Sequence, residues 1–164
     1  MTGTPPRRER RPHPFRLITG GLSEDAPRNP VPAADAAAEL SLPPERSSAR
    51  IARHWVIHTI AAAGVTGSQN QVVELLTAEV VANAAVHGPA DGSIRVRAWT
   101  DSRHVYVSVS DDSSTSPVVR HPEPSAASGR GMALVQALAG DWGVEIGPDG
   151  KTVWFSMELE DEDY

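Results

Sequence analysis

AEVVANAAVHG, Ala78 to Gly88, reads as an alanine- and valine-rich helix carrying three polar side chains at a fixed spacing. Glu79, Asn83 and His87 stand at i, i+4 and i+8, so each lies about 40° round the helix from the last. They border the apolar stripe of Leu76, Val80 and Ala84. A carboxylate and an amide beside a face that must be buried are costly to desolvate unless something partners them.

The elements around this helix define the fold. Its start is expected near Ser68, a plausible N-cap, and Gly88-Pro89 ends it, since glycine suits the position after a helix and proline cannot continue the turn. Upstream, Ile51, Trp55, Ile57, Ile60 and Ala61 recur at helical spacing up to a stop at Gly64, with Pro43-Pro44 suited to the first turn. Before that, AELSL (Ala38–Leu42) alternates as a short edge strand. Downstream, SIRVRAWT and HVYVSVSD alternate cleanly around Asp101-Ser102-Arg103 and predict a β-hairpin. Residues 112–130 are polar and rich in Pro and Ser, a length that in a compact domain is either functional or disordered. GMALVQALAG then gives a short helix stopped by Gly140, and DWGVEIGPDGKTVWFSMEL gives two strands joined at Gly147–Gly150. The expected architecture is α+β: a two-layer sandwich, its mainly antiparallel or mixed sheet covered on one face by helices.

Size and composition agree with one such domain. The chain has 164 residues and a formal net charge of -6, which does not favour nonspecific nucleic-acid binding. Residues 1–34, rich in Arg, Pro and Gly, read as a disordered tail, either a solvated leader or an electrostatic arm. The folded domain is expected over residues 35–160, with 161–164 as an acidic tail. There is no cysteine, which excludes disulfides and thiolate metal sites. No apolar run reaches the ~20 residues of a membrane span, and RRERRPHPFR lacks the apolar segment of a secretory signal. A soluble cytoplasmic protein is the simplest expectation.

Four short stretches carry candidate chemistry. GPDGKT imitates the end of a phosphate-binding P-loop, but Glu145 occupies the place of the first glycine and a strand, not a helix, follows Lys151; a hairpin turn explains it better. SGRGMALV places Gly129, Arg130 and Gly131 at a helix start, where backbone amides can receive phosphate. VSVSDD ends a strand at Asp111, which either caps a turn or, as an acceptor-only carboxylate, takes a hydrogen bond from an exocyclic amine such as that of adenine. On the opening helix, Glu79 and His87 could lean to solvent with Asn83 bonded to backbone. Alternatively, Asn83 could ligate Mg²⁺ with nucleotide phosphates completing the octahedron, and Glu79 could take a proton from an attacking hydroxyl.

These pieces, in this order over residues 39–159, resemble the GHKL ATPase superfamily of gyrases, heat-shock chaperones, histidine kinases and mismatch-repair proteins. More narrowly they resemble its small anti-sigma-factor serine/threonine kinase branch. ELLTAEVVANAAVHG is similar to the family's Asn box, which implies Glu79 as catalytic general base and Asn83 as the Mg²⁺ ligand. VSVSDDSSTSP is similar to its first glycine box, with Asp111 as the adenine carboxylate; SGRGMALV is similar to the second, with Gly129, Arg130 and Gly131 on the phosphates. GKTVWFSM is similar to its final segment, which implies Thr152 near the adenine end, and LAGDWGV matches what this branch places after its short helix. Ser113 and Thr115 stand where the family often has glycine. The fold implied is the Bergerat ATP-binding fold, and the cofactors implied are ATP and Mg²⁺. The partners implied are a sigma factor and an anti-sigma-factor antagonist, without direct contact to nucleic acid or membrane, and a homodimer is left open. A non-catalytic, nucleotide-gated binding module is the rival reading, and a nucleotide-free domain with a decayed site a third.

Overall fold

The computed structural model describes residues 16–19, 37–113 and 130–160. In chain order these form β1 (Arg16–Thr19), β2 (Ala38–Leu42), α1 (Arg46–Ala62), α2 (Gly67–His87), β3 (Ile94–Thr100), β4 (His104–Asp111), α3 (Arg130–Leu138), β5 (Asp141–Gly147) and β6 (Gly150–Glu158). The strands make one six-stranded sheet in the order β1-β5-β6-β4-β3-β2. Every neighbouring pair runs antiparallel. This is the expected α+β sandwich, and the sheet is antiparallel throughout rather than mixed.

Strand alternation sorts the sheet into two faces. Ile94, Val96 and Ala98 of β3, Val105, Val107 and Val109 of β4, Val144 of β5, and Val153 and Phe155 of β6 point to one side and are buried. The helices cover that side: α1 lies against β2 and β3, α2 against β3, β4 and β6, and α3 against β5. Helix α2 also touches both α1 and α3, so it lies between them on the sheet. Val73, Leu76, Val80, Val81 and Ala84 bury its inner arc, each large side chain contributing about 1.5–3 kcal/mol.

Local signals explain the boundaries. Gly64, at φ 94°, takes the left-handed conformation that ends α1. The Asn70 side chain then donates to the Val65 carbonyl at 3.0 Å, tying the α1–α2 connection together. Helix α2 begins one residue before Ser68, with Thr66 at the cap position and no side-chain capping bond. At its other end Gly88 is extended (φ −75°, ψ 156°), not left-handed. Glycine is needed there for space: a β-carbon would lie 2.7 Å from the Ala84 carbonyl oxygen.

One expectation needs correction. Within the stretch 1–34, expected to be disordered, Arg16–Thr19 form β1 and pair with β5 from Arg16↔Ile146 to Thr19↔Gly143. The run Leu17-Ile18-Thr19 has the residue types that favour strands, and β5 offers an open edge to receive it. The remainder of 1–34 lies outside the described residues except for these four, as do the last residues, 161–164.

Candidate functional site

Glu79 and Asn83 sit one turn apart on the flank of α2's buried arc, and both are half-buried. Among the described residues neither side chain has a hydrogen-bond or ion-pair partner. His87, the last residue of α2, is exposed. The helix carries this polar line toward the end of β4, where Gly88 meets Asp111.

Asp111 is the last residue of β4 and its side chain is only 3% exposed. Its Oδ1 accepts the Ser113 backbone N–H at 2.7 Å, so the turn-capping alternative is realised by one oxygen. The other, Oδ2, lies 3.5 Å from the Lys151 Nζ, whose side chain is 1% exposed. Burial pushes the Asp111 carboxyl above its ordinary range, and the Lys151 ammonium and the Ser113 N–H pull it back only in part. Ser113 is itself buried beside this carboxylate, and Thr115 lies outside the described residues.

Lys151 entered the sequence reading only as the lysine of the rejected P-loop imitation, not as a candidate site residue. Asp111 and Lys151 are direct cross-strand partners on the helix-facing side, in line with Val109↔Val153 two residues on. Thr152, by contrast, pairs with Ser110 and shares a hydrogen bond of 2.7 Å with its hydroxyl. Ser110 and Asp111 are consecutive in one strand, so they point to opposite faces. Thr152, which the resemblance implies near the adenine end, is therefore on the face away from the helices, and Lys151 is the residue beside Asp111. The run Lys151, Val153, Phe155, Met157 alternates with period two, which is the sequence signal that a lysine heads the buried face.

Gly150 makes this approach of strands feasible. It has φ 154°, and a β-carbon on it would fall 2.1 Å from the Asp111 carbonyl oxygen. The GPDGKT segment is a hairpin turn leading into strand β6, as expected, and not a phosphate loop. On the far side, α3 starts at Arg130 with Gly131 as its second residue and is anchored by buried Met132 and Val135. Gly129, the remaining residue of the proposed phosphate turn, lies outside the described residues.

A family model of the histidine kinase-like ATPase domain matches residues 42–157, from the last residue of β2 to the penultimate residue of β6. The chain belongs to that family, and its domain is an ATP-binding, kinase-like one. A search of curated proteins found no match. Among the described residues, no helix is long and apolar enough to cross a membrane.

Proposed function

We propose that the protein is an ATP- and Mg²⁺-dependent serine/threonine protein kinase that phosphorylates an anti-sigma-factor antagonist. In this reading it also sequesters a sigma factor, and so acts on transcription without touching nucleic acid. The observation that carries the site is the pairing of Glu79 and Asn83. Two half-buried polar side chains, one turn apart and without protein partners among the described residues, are suited to a ligand that brings its own charge.

ATP, when bound, supplies the phosphoryl group that is transferred. Asn83 offers an amide oxygen to Mg²⁺. No group of three or more His, Cys, Asp or Glu side chains that could hold a metal occurs among the described residues. A cation that keeps its waters and rests on few protein atoms and on phosphates is the kind such a site suits. Glu79, one turn earlier, is placed to accept the proton of an acceptor hydroxyl. Asp111 reads the amine edge of the purine, and the start of α3, Arg130 and Gly131, receives the phosphates on backbone N–H groups, a role the glycine motif also implies for Gly129. Positioning and charge neutralisation supply most of the catalysis in phosphoryl transfer.

The test is single-turnover transfer from ATP to a panel of antagonist proteins by the wild type and Glu79→Gln. The amide keeps the shape of the carboxylate but cannot take the proton. Transfer is expected to fall by roughly 10²–10⁴, the usual contribution of a general base, with ATP affinity within a few-fold. Equal, measurable rates would remove the role given to Glu79. No transfer by either protein across the panel would favour a nucleotide-gated binding module.

A further inference from the structure

A solvated helix ordinarily interleaves charges of both signs; α1 does not. Among its 17 residues, RSSARIARHWVIHTIAA, none is Asp or Glu, in a chain with 21 acidic and 15 basic residues. Arg46, Arg50, His54 and His58 stand at successive i+4 positions and form one stripe about 18 Å long, at the rise of an α-helix. All four are exposed, while Ser48, Ala52, Val56 and Ile60 fill the buried side.

This arrangement costs the helix stability. Like charges at i and i+4 repel, as at Arg46 and Arg50. Arg46 also opens the helix, at the positive end of its dipole, where an acidic residue is favoured and none is present. Arg53 shows the ordinary solution, its Nε 3.4 Å from Glu74 Oε1 of α2. Among the described residues, no carboxylate lies within ion-pair distance of Arg46, Arg50, His54 or His58. Glu45, next in the chain, accepts from Ser47 Oγ at 3.4 Å instead. Ile51 borders the stripe within one turn of His54 and is 49% exposed. An apolar side chain flanked by arginines, with no acid among them, has the composition of a protein interface. Charges that work against their own helix mark a surface kept for something other than the fold.

We propose that the outer face of α1 is a docking surface for an acidic amphipathic helix of a partner protein. Carboxylates one turn apart on such a helix repeat at the spacing of the stripe, and each arginine can hold one through paired N–H donors. An apolar side chain beside them covers Ile51. Nucleic acid fits less well, because the chain's net charge of -6 opposes a polyphosphate and a duplex backbone offers Ile51 nothing apolar. An anionic membrane calls for a cluster of about four to eight Lys or Arg, whereas the stripe has Arg46 and Arg50 alone. The surface lies outside the nucleotide site, whose helical residues Glu79 and Asn83 are on α2, and it does not depend on phosphoryl transfer.

The probe is a labelled, helix-forming peptide with Glu at every fourth position and Leu alongside, titrated into the full chain at low salt and read by fluorescence anisotropy. It should bind, weaken steeply with added salt, and bind at least about tenfold better than its Gln counterpart. Arg46→Glu combined with Arg50→Glu should weaken binding at least about tenfold. Arg95→Glu, at an exposed arginine on the opposite face of the sheet, should leave it unchanged. The urea midpoint of the double variant should equal or exceed that of the wild type, since two unfavourable charges are gone. Equal binding of the Glu and Gln peptides, or equal binding by the double variant, would overturn the proposal. A double variant less stable than the wild type would overturn it too, by making the arginines supports of the fold. Binding of a DNA duplex or of phosphatidylserine vesicles in preference to the peptide would do the same.

Discussion

Gly88 and Asp111 meet where the end of α2 crosses the end of β4: a β-carbon on Gly88 would lie 3.7 Å from that of Asp111 and 2.7 Å from the Ala84 carbonyl oxygen. The helix that carries Glu79 and Asn83 thus packs on the strand that carries Asp111 through a glycine whose missing side chain would meet Asp111 at ordinary contact distance but collide with the helix's own Ala84 carbonyl. Gly88→Ala should displace the last turn of α2 and destabilise the fold by about 1–3 kcal/mol, the range of overpacking substitutions. Urea unfolding measures that cost. A loss below a few tenths of a kcal/mol would show that the junction gives way freely.

The Asp111–Lys151 pair predicts a rescue. Removing one partner of a buried ion pair costs roughly 3–5 kcal/mol, because the other charge is left uncompensated, whereas replacing both by neutral groups is often harmless. Asp111→Asn alone should therefore destabilise strongly, and adding Lys151→Met should recover most of the loss. A double variant no more stable than Asp111→Asn would show that the ammonium is not what makes the single change costly.

Asp111→Asn on the rescued background also maps the base pocket. It should weaken ATP far more than inorganic triphosphate, since the amide presents a donor where the adenine amine needs an acceptor. Equal losses, read by calorimetry, would make Asp111 a turn cap only.

Asn83→Ala should remove the Mg²⁺-dependent part of ATP binding and leave unfolding cooperative, because a half-buried amide is lost without opening a core cavity. Near-wild-type affinity in Mg²⁺ would withdraw the metal role.

The β3–β4 turn gives a pH prediction independent of the nucleotide. The Tyr106 hydroxyl donates to Asp101 Oδ2 at 2.6 Å, and the Arg103 and His104 N–H groups donate to Oδ1. The Tyr106 bond leads in holding the Asp101 carboxyl below its ordinary value of 3.8. A depressed carboxylate contributes stability above its unfolded pKa, and that contribution is lost as pH falls through the folded value. Tyr106→Phe should move the Asp101 carboxyl up toward 3.8 in a carbon-detected NMR titration and flatten that part of the acid limb. Burial, helped by Asp101, pushes the Tyr106 hydroxyl up to about 12, so phenolate absorbance from Tyr106 should appear only near that pH.

Most of the layer order was legible in the sequence because each element has a period and a stop. Helix α1 was legible from its spacing up to Gly64, although its buried face runs through Ala52, Val56 and Ile60 and leaves Ile51, expected on the apolar stripe, exposed; the valines of HVYVSVSD alternate without a break. Strand β1 was not legible: four residues carry too little pattern, and their partner edge, Gly143 to Ile146, is remote in sequence. The site divided along similar lines. The placing of Glu79 and Asn83 one turn apart beside the apolar arc of α2 could be read from helix spacing. The place of Lys151 opposite Asp111 could not, because it depends on the strand register, which no local spacing reveals. In a strand, one residue is the difference between the two faces.

The two outermost strands, β1 and β2, both come from the first 42 residues of the chain and close opposite edges of the sheet. The edges that face outward are thus only four and five residues long, too short to template the addition of a strand from another molecule. A chain shortened past Thr19 would keep every residue of the proposed nucleotide site but lay bare the seven-residue edge of β5. Such a truncation should raise the tendency to self-associate, and the excess should grow with concentration while nucleotide affinity stays constant. The short N-terminal strand is in that sense a solubility device for a domain whose chemistry lies elsewhere.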